Sequence, residues 1–132
     1  MLTEKDYCDY DTCVALKELG YIGYSKYFYT AKEPKKLQQN GELYFTIRTA
    51  TACGYVLAIH LWDAQKWLRE KKLLHIVIDK LLYGAYEFSI VDILNYSKQK
   101  NGTANSYEEA LLEGIKEAVK LLKEENDERD FS

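Results

Sequence analysis

Proline is nearly absent from this chain of 132 residues, where Pro34 is the only one. Glycine numbers seven, and none of them builds a phosphate-cradling loop of the dinucleotide or nucleoside-triphosphate type, which argues against a nucleotide-dependent enzyme. Cysteine is scarce and odd in number: Cys8, Cys13 and Cys53 do not make the disulfide framework of a secreted mini-protein. No apolar run approaches the roughly 18 residues that cross a bilayer. The opening Met1 to Asp6 is acidic and lacks the apolar core of a secretory signal. Together these absences lead to the expectation of a cytoplasmic protein with no membrane partner. The sequons at Asn95 and Asn101 would then meet no glycosylation machinery. Basic charge is also in deficit, 18 against 21 acidic residues, and a net charge of -3 repels a phosphate backbone in general.

What the chain does contain is enough for a core. Its length suits one domain, and folding at this size buries roughly two thirds of the accessible surface. The reading is a single domain over residues 1–123, followed by a charged tail, 124–132, that frays. Tyrosine stands out at 12 copies, with five aromatics between Tyr21 and Tyr29. Tyrosine joins an apolar ring to a polar tip, so it suits half-buried positions and surfaces that meet partners.

Asp9 and Asp11 suit the start of a first helix, whose apolar positions Cys13, Leu16 and Leu19 precede a terminating Gly20. Ser25 to Thr30 reads as a strand, and Asn40-Gly41 as a tight turn after a polar stretch. Leu43, Phe45 and Ile47 alternate with Tyr44, Thr46 and Arg48, which predicts a second strand. Tyr55 to Ile59 extends a strand or begins a helix. From His60 onward, Leu61, Ala64 and Leu68 form a helical stripe, with Trp62 off it. Period two returns at Leu74, Ile76 and Ile78, and again from Tyr86 to Ile93. Tyr96 to Asn105 reads as a loop. Ser106 and Glu109 form a capping box that opens the clearest helix, with Gly114 on its apolar face for close packing. The resulting class is α+β, in the order α-β-β-α-β-β-α. An antiparallel sheet of about four strands is expected, with helices mainly on one face.

Chemistry is thin on this scaffold. Cys8, Cys13, Cys53, His60 and His75 do not fall into the paired spacings of a structural zinc site, and no metal or other cofactor is expected. Cys13 lies near a helix start, where a thiol is activated, but Asp9 and Asp11 favour its protonated form. The acidic run from Asp6 to Asp11 lacks the central glycine and closing glutamate of a calcium loop. No catalytic residue is assigned. Two binding readings remain. One places a protein partner or a second copy of the chain on Trp62, Tyr24, Tyr27 and Tyr29. The alternative tracks a nucleic acid along Lys32, Lys35, Lys36 and Arg48, beside Tyr27, Phe28 and Tyr29. A small enzyme whose residues converge only in the fold, around Cys13 or His60, is the third reading.

Two segments carry a resemblance, Asp63-Ala64-Gln65-Lys66-Trp67-Leu68-Arg69-Glu70 and Ser106-Tyr107-Glu108-Glu109-Ala110-Leu111-Leu112-Glu113-Gly114-Ile115. With a first helix closing on Lys17-Glu18-Leu19-Gly20-Tyr21, they resemble small uncharacterised proteins encoded by phages and prophages of gut Bacteroidetes. The resemblance implies the same order of elements over most of the chain, and the group has no assigned reaction to carry over. Members often place a proline before the middle helix, where this chain reads Ala58-Ile59-His60. The sum of these readings is a non-enzymatic phage or prophage accessory protein that acts by binding another protein.

Overall fold

Asp9 begins the first helix because its carboxylate accepts the Thr12 amide at 2.9 Å, satisfying one of the donors a helix start leaves open. The helix, α1 (Tyr10–Glu18), ends where Gly20 takes a φ of +100°, and the Tyr21 amide turns back to the Leu16 carbonyl. The computed structural model describes residues 4–130, whose contacts gather in two units, Met1–His60 and Leu61–Ser132.

In the first unit, short strands follow α1 in the chain: β1 (Tyr24–Ser25), β2 (Tyr27–Tyr29), β3 (Gln38–Gln39), β4 (Phe45–Thr46) and β5 (Val56–Leu57). β1 pairs with β4, and β2 lies between β3 and β5, all antiparallel. The open choice at Tyr55 to Ile59 resolves as strand. The strand expected across Leu43 to Arg48 forms only at Phe45 and Thr46, as β4. Thr46 accepts the Thr49 amide at 3.1 Å and caps a helix, α2 (Ile47–Ala52). The alternation that suggested a strand ends there, with both Leu43 and Tyr44 exposed and Phe45 buried.

In the second unit, α3 (Leu61–Lys71) buries Leu61, Ala64 and Leu68, the stripe read from the sequence. β6 (Leu74–Lys80), β7 (Tyr86–Asp92) and β8 (Ser97–Ala104) form an antiparallel sheet in chain order. Bonds from Leu81 to Ala85 and from Ile93 to Leu73 fix which alternate groups of β6 face β7. The Ile76 carbonyl therefore faces outward, where it accepts the Gln65 amide of α3 at 2.8 Å. β8 corrects a second expectation, since Tyr96 to Asn105 is largely strand and not loop. Its residues have little β propensity, and the ladder to β7 imposes the extended form.

The last helix, α4 (Tyr107–Asp130), opens with the Glu109 amide bonded to Ser106 and lays Leu111, Ile115 and Ala118 into the core. A Cβ built at Gly114 would stand 2.6 Å from Ile76 Cγ2, so the sheet does require glycine there. Helical backbone continues through Asp130, and part of the tail expected to fray, 131–132, lies outside the described residues. The α+β class stands, with antiparallel pairing throughout. The expected sheet of about four strands is replaced by three small sheets.

Candidate interaction surface

Residues of both binding readings fall in the first unit, and its core decides which of them reach the surface. Tyr29 does not: its ring is buried, and its hydroxyl donates to the Cys8 carbonyl at 2.9 Å. Burial, reinforced by the nearby Cys13 and Cys8 thiols, holds that phenol well above its ordinary pKa. Tyr27 is half-buried against the Tyr7 ring, 5.2 Å between centroids. Both belong to the packing of β2 more than to a surface. Phe28 is buried too, stacked on Tyr55 at 4.3 Å and met edge-on by Phe45 at 5.6 Å.

Tyr24 is different. It is 69% exposed on β1 and meets Tyr44, 61% exposed, edge to face at 5.5 Å. Pairing of β1 with β4 sets this up, because Phe45 turns inward to the aromatic core and leaves Tyr44 outside. Gly23 is required just before the strand, since a Cβ there would stand 2.5 Å from the Tyr21 hydroxyl oxygen. Ile22 and Leu43 are exposed at either flank in sequence. Lys26 Nζ lies 5.1 Å from the centre of the Tyr44 ring and 3.2 Å from the Glu42 carboxylate, whose hydrogen bond and charge raise the lysine pKa. The ribbon thus presents two rigidly paired rings and two aliphatic side chains, with its local charges matched.

Trp62 stands on α3 in the second unit, half exposed. Lys32, Lys35 and Lys36 are all exposed on the connection between β2 and β3, where Lys36 pairs with Glu33 at 4.0 Å. Arg48 is exposed on α2. The rings next to these lysines in sequence, Phe28 and Tyr29, are the buried ones, which removes the stacking partners a single strand would need.

The thiols of Cys8 and Cys13 are buried side by side. Cys13 donates to the Cys8 carbonyl at 3.5 Å and accepts the Ile59 amide at 3.4 Å. A hydrogen bond to Cys13, then burial, pushes the Cys8 thiol well above its usual pKa, the opposite of an activated nucleophile. His60 packs its ring on Tyr7 at 5.2 Å. Among the described residues, no group of three or more His, Cys, Asp or Glu side chains is arranged to hold a metal ion. Nor is any helix of those residues long and apolar enough to cross a membrane.

Tyr44, Leu43 and Ile22 were not singled out by the sequence reading. The signal was available in the aromatic density around Tyr24, but only the β1–β4 pairing shows which rings face outward. No family model, curated protein or solved structure matches the chain.

Proposed function

We propose that this chain is a non-enzymatic accessory protein, of phage or prophage origin, that binds another protein through the β1–β4 ribbon. The observation that carries the reading is the exposed pair Tyr24 and Tyr44, held edge to face and flanked by Ile22 and Leu43. Tyrosines pre-set in this way cost little side-chain entropy on binding and are frequent at the energetic centre of interfaces. The four side chains cannot supply the roughly 800 Å² per partner of a standard interface. They act as the anchor of a wider contact with a different protein, more than as the whole face of a stable dimer.

The test is capture from a Bacteroidetes host lysate by wild type and by a Tyr24→Ala/Tyr44→Ala variant, each with and without nuclease. A host protein held by wild type in both arms, and lost from the variant, supports the reading. Capture that disappears with nuclease supports the alternative on Lys32, Lys35, Lys36 and Arg48. Sedimentation across micromolar concentrations separates a second copy of the chain from a different partner.

A further inference from the structure

Among the described residues, three other than glycine hold a positive φ: Leu73 at 59°, Tyr83 at 73° and Tyr96 at 56°. The left-handed region crowds a Cβ against the following carbonyl, so only glycine, and to a lesser degree asparagine, enters it cheaply. A side chain kept there usually recovers the cost by packing. Tyr96 gains little in this way: it is 85% exposed, and its ring meets no other ring among the described residues. Asn95, a residue type that suits the position better, stands one place earlier.

Tyr96 lies at one end of the β6–β7–β8 sheet, in the turn that joins β7 to β8. Leu94 in the same turn is 76% exposed. Leu73 is brought alongside by its carbonyl, which accepts the Ile93 amide at 3.0 Å. The turn is held firm by two side chains of its own: Asp92 accepts the Leu94 amide at 2.9 Å, and Asn95 accepts the Ser97 amide at 3.0 Å. Leu94 and Tyr96 are therefore presented in a set geometry rather than on a free coil.

Around this apolar tip the charge is positive, in a chain that is acidic overall. Lys71 and Lys72 lead directly into Leu73. Lys98 follows the turn on the rung formed by His75, Val91 and Lys98. Arg69 is close enough to His75 to lower its pKa, second to the effect of burial. None of Arg69, Lys71, Lys72 and Lys98 forms an ion pair among the described residues, and Lys72 leans on the Trp67 ring instead. The acids nearby are Glu70 on α3 and Asp92, whose carboxylate already caps the turn.

We propose that this end of the sheet docks an acidic protein segment bearing apolar side chains, which receives Leu94 and Tyr96 while Lys71, Lys72 and Lys98 meet its carboxylates. Charge decides against a two-fold contact of this end with the same end of a second copy, where like cations would meet. The exposed aliphatic Leu94, beside Leu73, favours an apolar protein surface over a nucleic acid, which takes aliphatic side chains mainly as wedges between bases. The site is on the second unit and does not depend on the β1–β4 ribbon.

The experiment titrates the full chain into three fluorescein-labelled probes: a short peptide of alternating glutamate and leucine, an all-glutamate peptide, and oligothymidine. Fluorescence anisotropy follows binding at low and moderate salt. The glutamate-leucine peptide binds tightest, and its affinity falls as salt rises. Tyr96→Gly and Lys98→Glu each weaken it by about tenfold or more, whereas Tyr24→Ala/Tyr44→Ala leaves it unchanged. Tyr96→Gly melts no lower than wild type, because glycine suits the backbone and no packing is lost. The proposal is overturned if the glutamate-leucine peptide fails to bind, if Tyr96→Gly or Lys98→Glu binds it as wild type does, or if oligothymidine binds tighter. A lower melting point for Tyr96→Gly would also overturn it, since the ring would then be explained by folding.

Discussion

Tyr83 and Tyr96 each place a ring in solvent from a left-handed backbone, and Tyr83 is fully exposed. A non-glycine residue in that region costs roughly 1–2 kcal/mol. Replacing either by glycine returns part of that strain and gives back some as unfolded-state entropy, so a gain of about 0.5–1 kcal/mol is expected in urea melts. A loss of stability would show that the rings pack in solution. At Cys8 the consequence is one of pH. Its pKa is raised in the folded chain, so the native state keeps a proton that the unfolded chain gives up. The stability this brings is complete below the ordinary thiol value of about 8.5 and is lost as pH rises above it. Tyr29, raised mainly by burial, extends the fall above about pH 10. Stability measured from pH 7 upward should decline beyond about 8.5, by up to about 1.4 kcal/mol per pH unit for each proton held, and less steeply in Cys8→Ala. Cys53 is exposed while Cys8 and Cys13 are buried, so a thiol reagent should label Cys53 alone until the chain is unfolded.

The elements legible in the sequence are those whose own period decides their form. α3 and α4 bury the stripes their spacing predicts, and β6 buries Leu74 and Ile76 between half-buried neighbours, whereas β7, the central strand, buries Phe88, Ser89 and Ile90 in a row. Gly114 is the sharpest case, a helix-weakening residue on the apolar face whose place the close approach of Ile76 explains. Gly114→Ala sets about 1 kcal/mol of helix propensity against overpacking of a fully buried, branched side chain. Overpacking costs about 1–3 kcal/mol, so the substitution should lower stability by up to about 2 kcal/mol; thermal melts that rise would contradict the packing. Where the form depends on a partner or a cap, the sequence is silent or misleading. β8 is an edge strand of lysine, glutamine and asparagine, composed to discourage further pairing, and it looks like a loop until β7 is beside it. α2 hides behind an alternation that Thr46 interrupts. Thr46→Ala should cost about 1 kcal/mol by removing that cap, in the same melts.

At the scale of the whole molecule, the two units carry different kinds of surface, one charge-matched and rich in tyrosine, the other apolar and rimmed with cations. The candidate site was half legible. Tyr24 was identified, but Tyr29 was grouped with it because exposure follows from pairing and burial, neither of which aromatic density encodes. Composition also concealed the basic end of the β6–β7–β8 sheet, because a net charge of -3 averages over surfaces that a partner meets one at a time. The account turns on Tyr24 and Tyr44 being the anchor for another protein, and calorimetric titration of the captured host protein tests it most directly. Wild type should bind, and Tyr24→Ala/Tyr44→Ala should bind at least about thirtyfold more weakly while melting at the wild-type temperature. Equal affinity for the two proteins would contradict the account.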